Sequence, residues 1–442
     1  MTAIKLLFKN SRPLKYFNFS LTCFVFAVLL TSCEQNPTAP NEPPKPYGYQ
    51  EDIYWPSLAD SPWPMDHHDP QNTGRSQYPG PMLSEIEWVI DSLGIENSIV
   101  IGSDSIVYVS IGGGGKKAGL YAINPQGKVK WTFEFPEVAG KSYSTPVIAV
   151  DGTIYCSFNG YLTQKFYAVN SNGTLKWEVD NINLKMTAIN IGLDGTLYFI
   201  QSGGTLTALS KYGEILWTYT DSRFYGGDNS GLSISPDGKT LYLFTYIDEG
   251  WLTSFDIETK TIKWNFGTSI AGHPAIDNDG NIYVIANVDT IYQGITAIYS
   301  LNESGKIRWS HPMFSAISIL YYSNPIIDKY GNVYCSFDTL FSFDYDGNLR
   351  WKTNLCDECI DPMGFVVAPL VCDNLGNVYS SITDVDNPTL KKILLVNSDG
   401  YIQQFLELPN TIAPTGGISS IIGFGKDFYL PGVDISKILK IK

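Results

Sequence analysis

Histidines are the first place to look for chemistry in this chain of 442 residues, which contains four of them. His67 and His68 are adjacent and lie between Asp66 and Asp69, and such a group of imidazoles and carboxylates could hold a transition-metal ion. The same group also suits a loop that caps or packs against other elements, and we favour that interpretation. His273 has no second histidine at ligand spacing, so we expect it to form hydrogen bonds rather than to take part in catalysis.

The cysteines offer a second possible chemistry. Cys356 and Cys359 are separated by two residues, a spacing that fits a small loop disulfide, half of a metal site or a redox pair. No second pair at this spacing accompanies them, and Ile360 stands where a c-type haem site would need histidine. A loop disulfide is the preferred interpretation, and free thiols are the alternative.

Other motifs lack the residues that their chemistry would need. Residues 277–281 alternate Asp and Asn as in a Ca²⁺-binding loop, but no glutamate follows at the bidentate position. The glycines of residues 111–117 lack the spacing of a phosphate-binding loop, and the chain contains no G-x-S-x-G nucleophile motif. The sequence therefore predicts no catalytic residue, no cofactor and no metal site.

The amino terminus has the pattern of an export signal. An apolar run at residues 19–30 is too short to cross a bilayer as a stable helix. The positive region before it consists of Lys5, Lys9, Arg12 and Lys15. The run ends in Leu30-Thr31-Ser32-Cys33, which resembles the bacterial lipobox. This resemblance implies that residues 1–32 form a lipoprotein signal peptide and that Cys33 carries a lipid anchor; an ordinary cleaved signal is the alternative.

Residues 33–62 are expected to form a flexible tether, because their first part is polar and rich in proline. The net charge limits which classes of partner the chain after this tether can bind. The chain has 30 Lys and Arg against 44 Asp and Glu, a net charge of −14, and loss of the four cations in residues 1–32 leaves −18. Since nucleic-acid binding needs a basic surface that neutralises phosphates, we expect no nucleic-acid partner.

An internal repeat organises the rest of the chain. A strand tyrosine recurs at intervals of 41 to 51 residues, as Tyr108, Tyr155, Tyr198, Tyr242, Tyr283, Tyr334, Tyr379 and Tyr429. A tryptophan recurs later in most units, as Trp131, Trp177, Trp217, Trp264, Trp309 and Trp351. Aspartate–glycine pairs such as Asp151-Gly152 stand between apolar runs and predict tight hairpin turns. Four short antiparallel strands in each period predict a β-propeller blade.

The number of blades depends on how the ring closes. The eighth unit, residues 419–442, ends after three strands, and residues 83–90 match the fourth strand of the other units. Trp88 in that stretch lies one period before Trp131. We therefore predict an all-β fold, an eight-bladed propeller at residues 98–442 that is closed by a strand from a lead-in segment, residues 63–97. A seven-bladed ring is the alternative.

The repeat resembles the pyrroloquinoline quinone (PQQ)-type propeller repeat of quinoprotein alcohol dehydrogenase-like proteins. The resemblance rests on the pattern Tyr-Ala-Ile-Asn, Gly and Lys-Trp at residues 121–131 and on the lead-in at residues 63–76. It covers residues 63–442 and implies the propeller fold. In PQQ-dependent dehydrogenases the quinone and Ca²⁺ lie on the propeller axis, whereas a family of outer-membrane propeller lipoproteins helps to assemble β-barrel proteins.

A PQQ-dependent enzyme would need Ca²⁺ ligands near the propeller axis, and the residues that open the inner strand of each unit are the candidates for these ligands. In the repeat alignment they are Ser98, Thr145, Ala188, Gly231, His273, Asn324, Ala368 and Ser419. None is acidic, although Ca²⁺ needs oxygen ligands that include carboxylates. The chain also lacks the adjacent cysteine pair that the resemblance to those enzymes would imply. Thr145, His273 and Asn324 are weak candidates for residues that line the channel.

We therefore expect a lipid-anchored propeller of the bacterial cell envelope, attached to the outer membrane through Cys33, that binds a protein or a glycan without catalysis. A PQQ-dependent oxidoreductase and an outer-membrane β-barrel assembly factor are the alternatives. We expect a monomer, and the partner and the membrane face stay open. Four irregular insertions are candidate contact surfaces: residues 112–117, 221–229, 289–294 and 355–364.

Overall fold

The structure, a computed structural model, describes most of the chain after residue 43. The described residues are 44–90, 98–112, 117–136, 140–141, 144–184, 188–224, 231–244, 252–287, 296–313, 324–336, 339–355, 365–367, 369–384, 391–409, 421–423, 427–433 and 437–442. Residues Tyr47–Lys442 form one compact unit, and Met1–Pro46 form another, of which only residues 44–46 are described. Cys33, Cys356 and Cys359 therefore lie outside the described residues. No described helix is long and apolar enough to cross a membrane.

Short apolar runs form eight antiparallel sheets, called blades here and numbered along the chain. Blade 1 consists of Val100–Ile101, Val107–Ile111, Gly119–Ile123 and Val129–Glu134. Blade 2 consists of Val147–Ile148 with the additional short strand Gly140–Lys141, then Ile154–Gly160, Gln164–Val169 and Leu175–Asp180. Blade 3 consists of Asn190–Ile191, Leu197–Gln201, Thr205–Leu209 and Ile215–Thr220, followed by the 3₁₀ helix Ser222–Phe224. Blade 4 consists of Leu232–Ile234, Thr240–Phe244, Leu252–Asp256 and Thr261–Phe266.

The remaining four blades follow the same order. Blade 5 consists of Thr268–Ile276, Ile282–Asn287, Thr296–Leu301 and Ile307–Pro312. Blade 6 consists of Ile326–Ile327, Val333–Ser336, Thr339–Phe343 and Leu349–Asn354. Blade 7 consists of Val371–Cys372 with the additional strand Phe365–Val367, then Val378–Asp384, Lys391–Val396 and Ile402–Glu407. Blade 8 consists of Ile421–Ile422, Phe428–Val433, Lys437–Ile441 and, as its outer strand, Ile86–Ile90.

Ring closure joins the two ends of the propeller. Ile86–Ile90 pairs antiparallel with Lys437–Ile441, and Trp88 lies opposite Lys440. The amino-terminal strand thus supplies the fourth strand that the last unit lacks. The prediction of an eight-bladed propeller closed in this way is confirmed, and the seven-bladed alternative is excluded.

Burial follows the position of each strand in its blade. All five residues of Val107–Ile111, a second strand, are buried because neighbouring blades cover both faces of the sheet. In the outer strand Ile215–Thr220, exposed and half-buried residues alternate. The hydrophobic core therefore consists of layers between blades, and the inner strands surround the axis of the ring, where a channel was predicted.

The antiparallel order gives the ring two different ends. The hairpins between strands 1 and 2 and between strands 3 and 4 lie at one end, called the turn end here. Their glycines have left-handed backbone angles, such as φ of 79° at Gly152 and 86° at Gly173, which other residues adopt only at a cost. The hairpins between strands 2 and 3 and the links between blades lie at the opposite end, called the connection end here.

Candidate functional site

A belt of chain lines the inner edges of the blades. The belt is defined as residues 47–82, and its carbonyl groups accept hydrogen bonds from the inner strands of successive blades. The donor and acceptor pairs are Ile101 to Trp63, Ile148 to Pro64, Ile234 to Pro70, Ile276 to Gln71, Ile327 to Thr73 and Cys372 to Gly74, with N···O distances of 2.8 to 2.9 Å. An inner strand without a neighbour would leave its N–H groups unpaired. The carbonyl groups of the belt accept hydrogen bonds from these N–H groups, and the same bonds fix the path of the belt.

The first part of the belt reaches blade 3, which is not among those six. The indole of Trp55 donates to the carbonyl of Ile191 at 2.8 Å, and Ser57 Oγ donates to the carbonyl of Gly192 at 2.6 Å, both in blade 3. Trp55 is only 6% exposed. Residues 47–62, which the sequence suggested as part of the tether, thus pack on the propeller because they carry buried apolar side chains. The compact unit accordingly begins at Tyr47.

Asp69 shapes the central turn of the belt. Its carboxylate accepts hydrogen bonds from the N–H of Gln71 at 3.2 Å, from the N–H and hydroxyl of Thr73, and from His68 Nδ1 at 3.2 Å. Burial alone would raise the pKa of Asp69, but these hydrogen bonds and the charge of His68 lower it below its usual value. The turn is tight enough that His67 and His68 have positive φ angles of 52° and 79°.

The same turn carries two side chains to an inner strand of blade 5. Asp66, His67 and His273 form one cluster, in which one ligand atom from each residue lies within 4.8 Å of the others. His67 Nε2 is 3.8 Å from Asp66 Oδ2, and the two imidazole rings pack edge to face with centroids 4.7 Å apart. Burial lowers the pKa of both histidines to about 4, so they are neutral near pH 7, whereas burial raises the pKa of Asp66.

Asn324 of blade 6 determines which ring nitrogen of His67 carries the proton. Its Oδ1 accepts a hydrogen bond from the backbone N–H of His273 at 2.8 Å, which leaves Nδ2 facing His67 Nε2 at 2.9 Å. Because the amide nitrogen is a donor, His67 Nε2 is the acceptor and His67 Nδ1 carries the proton. His273 Nδ1 is buried and has no hydrogen-bond partner among the described residues.

Other residues predicted to open the inner strands contact their counterparts in the next blade. Thr145 is buried, and its Oγ1 accepts the N–H of Ser98 at 3.3 Å. A Cβ atom on Gly231 would lie 2.8 Å from the ring of His273, so the two positions are in close contact. The structure thus places His273 and Asn324 in the neighbouring blades 5 and 6, whereas Thr145 precedes the inner strand of blade 2. Ala368 and Ser419 lie outside the described residues.

The donor set of the channel does not suit a quinone with Ca²⁺. Of the eight opening positions, six are described, and none of these six is a carboxylate. The carboxylate of the cluster, Asp66, comes from the belt and faces two imidazoles, which are softer ligands than Ca²⁺ prefers. The backbone of the belt also occupies the inner edges that surround the channel.

A second space lies within the belt. It is a cavity of about 460 Å³, with Tyr54, Trp55 and Arg75 among its lining residues. Ser61 Oγ and His68 Nε2 belong to residues that line it, and both atoms are buried without a hydrogen-bond partner among the described residues. Aromatic rings together with unpaired polar atoms are common in sites that bind small polar molecules.

Comparison with known proteins identifies the family. Residues 80–310, just over half of the chain, match the family described as outer membrane protein assembly factor BamB. The chain belongs to this family. A search of curated proteins finds no match.

Solved structures agree with the BamB family on the fold. BamB from Moraxella catarrhalis matches with a TM-score of 0.57 and 14% identity, covering 82% of this chain and 100% of that one. Quinohemoprotein alcohol dehydrogenase ADHIIG from Pseudomonas putida HK5 matches with a TM-score of 0.58 and 10% identity, covering 87% and 80%. A europium-containing methanol dehydrogenase matches with a TM-score of 0.55 and 12% identity, covering 84% and 89%. The predicted PQQ-like β-propeller repeat is confirmed.

The eight-bladed PQQ-like propeller was predictable from the sequence, but the cluster was not. Asp66 and His67 were grouped with His68 and Asp69 because the four are consecutive. In the structure His68 and Asp69 pair with each other, whereas His67 meets His273, far away in sequence. The only available signal was that His273 opens an inner strand, where its side chain could reach the channel.

Proposed function

We propose that the protein is a lipid-anchored scaffold of the bacterial envelope that binds other envelope proteins during outer-membrane protein assembly. The observation that carries this proposal is the match of residues 80–310 to the BamB family. Cys33 is the proposed site of lipid attachment after removal of residues 1–32, and the segment between Cys33 and Tyr47 links the anchor to the propeller. The outer membrane is the proposed location.

A non-catalytic role is supported by the contents of the channel. The belt lies along the inner edges of the strands, and the described opening positions offer no carboxylates for Ca²⁺. Binding through surface segments needs no such site. We therefore assign the function to the outside of the ring.

The connection end is the proposed binding surface. The four insertions predicted as contact surfaces all follow strand ends at this end of the ring, and most of their residues lie outside the described part. The turn end, in contrast, is made of short hairpins and is partly occupied by the belt. Segments that vary in length while the scaffold stays constant are the usual place for partner recognition.

Affinity capture from detergent-solubilised envelope tests this assignment. A Gly-Ser replacement of residues 225–229, of equal length, alters the connection end, whereas Tyr212→Ser and Tyr401→Ser alter side chains that are 71% and 72% exposed at the turn end. We expect an outer-membrane β-barrel protein or an assembly subunit to be captured by the wild type and by both tyrosine variants, but not by the loop variant. Equal capture by all four proteins, or capture of no envelope protein, would refute the proposal.

Lipid attachment is tested separately. We expect labelled palmitate to be incorporated into the wild type and into Cys23→Ser, and to be absent from Cys33→Ser, which should leave the membrane fraction. Cys23 is the matched control because it lies in the segment proposed to be removed. Labelling of Cys33→Ser would show that the anchor is elsewhere, and absence of label from the wild type would show that the signal is an ordinary cleaved one.

A glycan is a second candidate ligand, favoured by the cavity in the belt. Sugar hydroxyls both donate and accept, and the cavity offers an unpaired hydroxyl at Ser61 and aromatic surface at Tyr54. We expect an envelope oligosaccharide to bind the wild type and to bind Ser61→Ala and Tyr54→Ala about tenfold more weakly. Unchanged binding in both variants would remove the cavity as a glycan site.

A further inference from the structure

The Asp66–His67–His273 cluster brings a carboxylate and two imidazole rings together, and one of the ring nitrogens has no hydrogen-bond partner among the described residues. The carboxylate of Asp66 faces His67 Nε2 at 3.8 Å, and that nitrogen carries a lone pair because Asn324 Nδ2 donates to it. His273 Nδ1 is buried and unpaired among the described residues. Buried polar atoms normally have partners, so the unpaired His273 Nδ1, beside a carboxylate and a second imidazole, suits a bound cation.

We propose that Asp66, His67 and His273 bind a divalent transition-metal ion of the zinc class. Two imidazoles and one carboxylate are the ligands that zinc and its neighbours prefer, whereas Ca²⁺ and Mg²⁺ prefer oxygen ligands only.

Binding would need a small contraction of the cluster. The ligand atoms lie within 4.8 Å of one another, whereas ligand atoms around tetrahedral zinc are about 3.4 Å apart. Side-chain rotations can supply this movement, and the ion would replace the Asn324 amide as the partner of His67 Nε2. Since Asp66 and His67 belong to the belt and His273 to blade 5, the ion would cross-link the belt to the ring. Its role is therefore structural.

Metal binding is measured on the full-length protein, purified in detergent and freed of metal by chelation. Equilibrium dialysis with ZnCl₂ should give one ion per chain, and CoCl₂ should produce the visible absorption bands of Co²⁺ in a low-symmetry site. Thermal unfolding with excess ZnCl₂ should show a Tm higher by about 2–5 °C. Absence of stoichiometric binding would overturn the proposal.

Four asparagine variants locate the site. His67→Asn and His273→Asn remove a ligand, and asparagine at position 67 tolerates the left-handed backbone, with φ of 52°. We expect metal affinity to fall by more than about 100-fold, beyond the loss that outer-shell changes cause. His68→Asn, with φ of 79°, and His311→Asn are the matched controls and should retain binding.

A further variant separates coordination from folding effects. Asn324→Ala releases His67 Nε2, so we expect the affinity for Zn²⁺ to stay the same or to rise. The metal-free Tm of every variant reports whether it folds, and Asp66→Asn provides a third ligand variant if either histidine variant does not. Unchanged stoichiometry in folded ligand variants would place the metal at another site and refute the assignment.

Discussion

At the scale of single residues, the repeat tryptophan of one blade contacts the next blade. The ring of Trp351 lies on Gly400 of the next blade, and its indole donates to the carbonyl of Ser398 at 2.9 Å. The same bond links blade 8 to blade 1, from Trp88 to Pro125 at 2.9 Å. Within a blade the tryptophan packs on the repeat tyrosine, with Tyr334 and Trp351 centroids 5.7 Å apart. The repeated residues are therefore the contacts that hold the ring together.

Gly400→Ala should destabilise the protein more than Gly203→Ala. Both glycines have left-handed angles, φ of 89° and 97°, so both variants incur a backbone strain of about 1–2 kcal/mol. A Cβ on Gly400 would lie 2.5 Å from the ring of Trp351, whereas one on Gly203 meets no described atom within 4 Å. Overpacking adds about 1–3 kcal/mol at Gly400, measurable by urea unfolding. Equal losses would mean that the tryptophan contact is unimportant.

At the scale of elements, the belt depends on its own buried anchors. Trp55→Ala should lower the free energy of unfolding by about 3–5 kcal/mol, because the residue is 6% exposed and loses a hydrogen bond to Ile191. Tyr54→Ala is the control, since Tyr54 is 85% exposed and should change stability by less than about 0.5 kcal/mol. Urea unfolding gives both values, and hydrogen exchange at the N–H of Val150, which donates to the carbonyl of Ser57 in the belt, should increase only in Trp55→Ala. Similar exchange in both variants would show that the belt is not anchored there.

The blades were predictable from sequence and the belt was not, for a physical reason. Each blade repeats a local pattern of turns and aromatics, so its strands can be read from residues that are close in sequence. The belt has no period, and its partners are backbone groups such as the N–H of Ile327, which every sequence offers. The meeting of His67 with His273 depends on that path, so it could be seen only in three dimensions.

At the scale of the whole molecule, the ring is closed by ionic contacts as well as by strand pairing. Lys440 of blade 8 has a side chain only 7% exposed, and its Nζ lies 3.0 Å from Glu87 Oε2 and 3.1 Å from Asp427 Oδ2. Glu87 belongs to the amino-terminal strand, so this contact joins the two ends of the propeller. Removal of one partner from a shielded ion pair leaves the other charge without a counter-charge, which destabilises the folded state.

Closure should therefore weaken in acid. The hydrogen bond from Lys440 lowers the pKa of Glu87 below its usual value of 4.5, so the unfolded chain binds the proton first as pH falls. The stability that Glu87 contributes is present above about pH 4.5 and is lost as pH falls through its folded pKa. At pH 7 we expect Glu87→Gln to lower the Tm by about 2–4 °C, and the difference should shrink as pH falls below the usual pKa of 4.5. Glu134→Gln, which breaks the exposed pair with Lys117, should change little across this pH range, and a Glu87→Gln difference independent of pH would contradict an ionic closure.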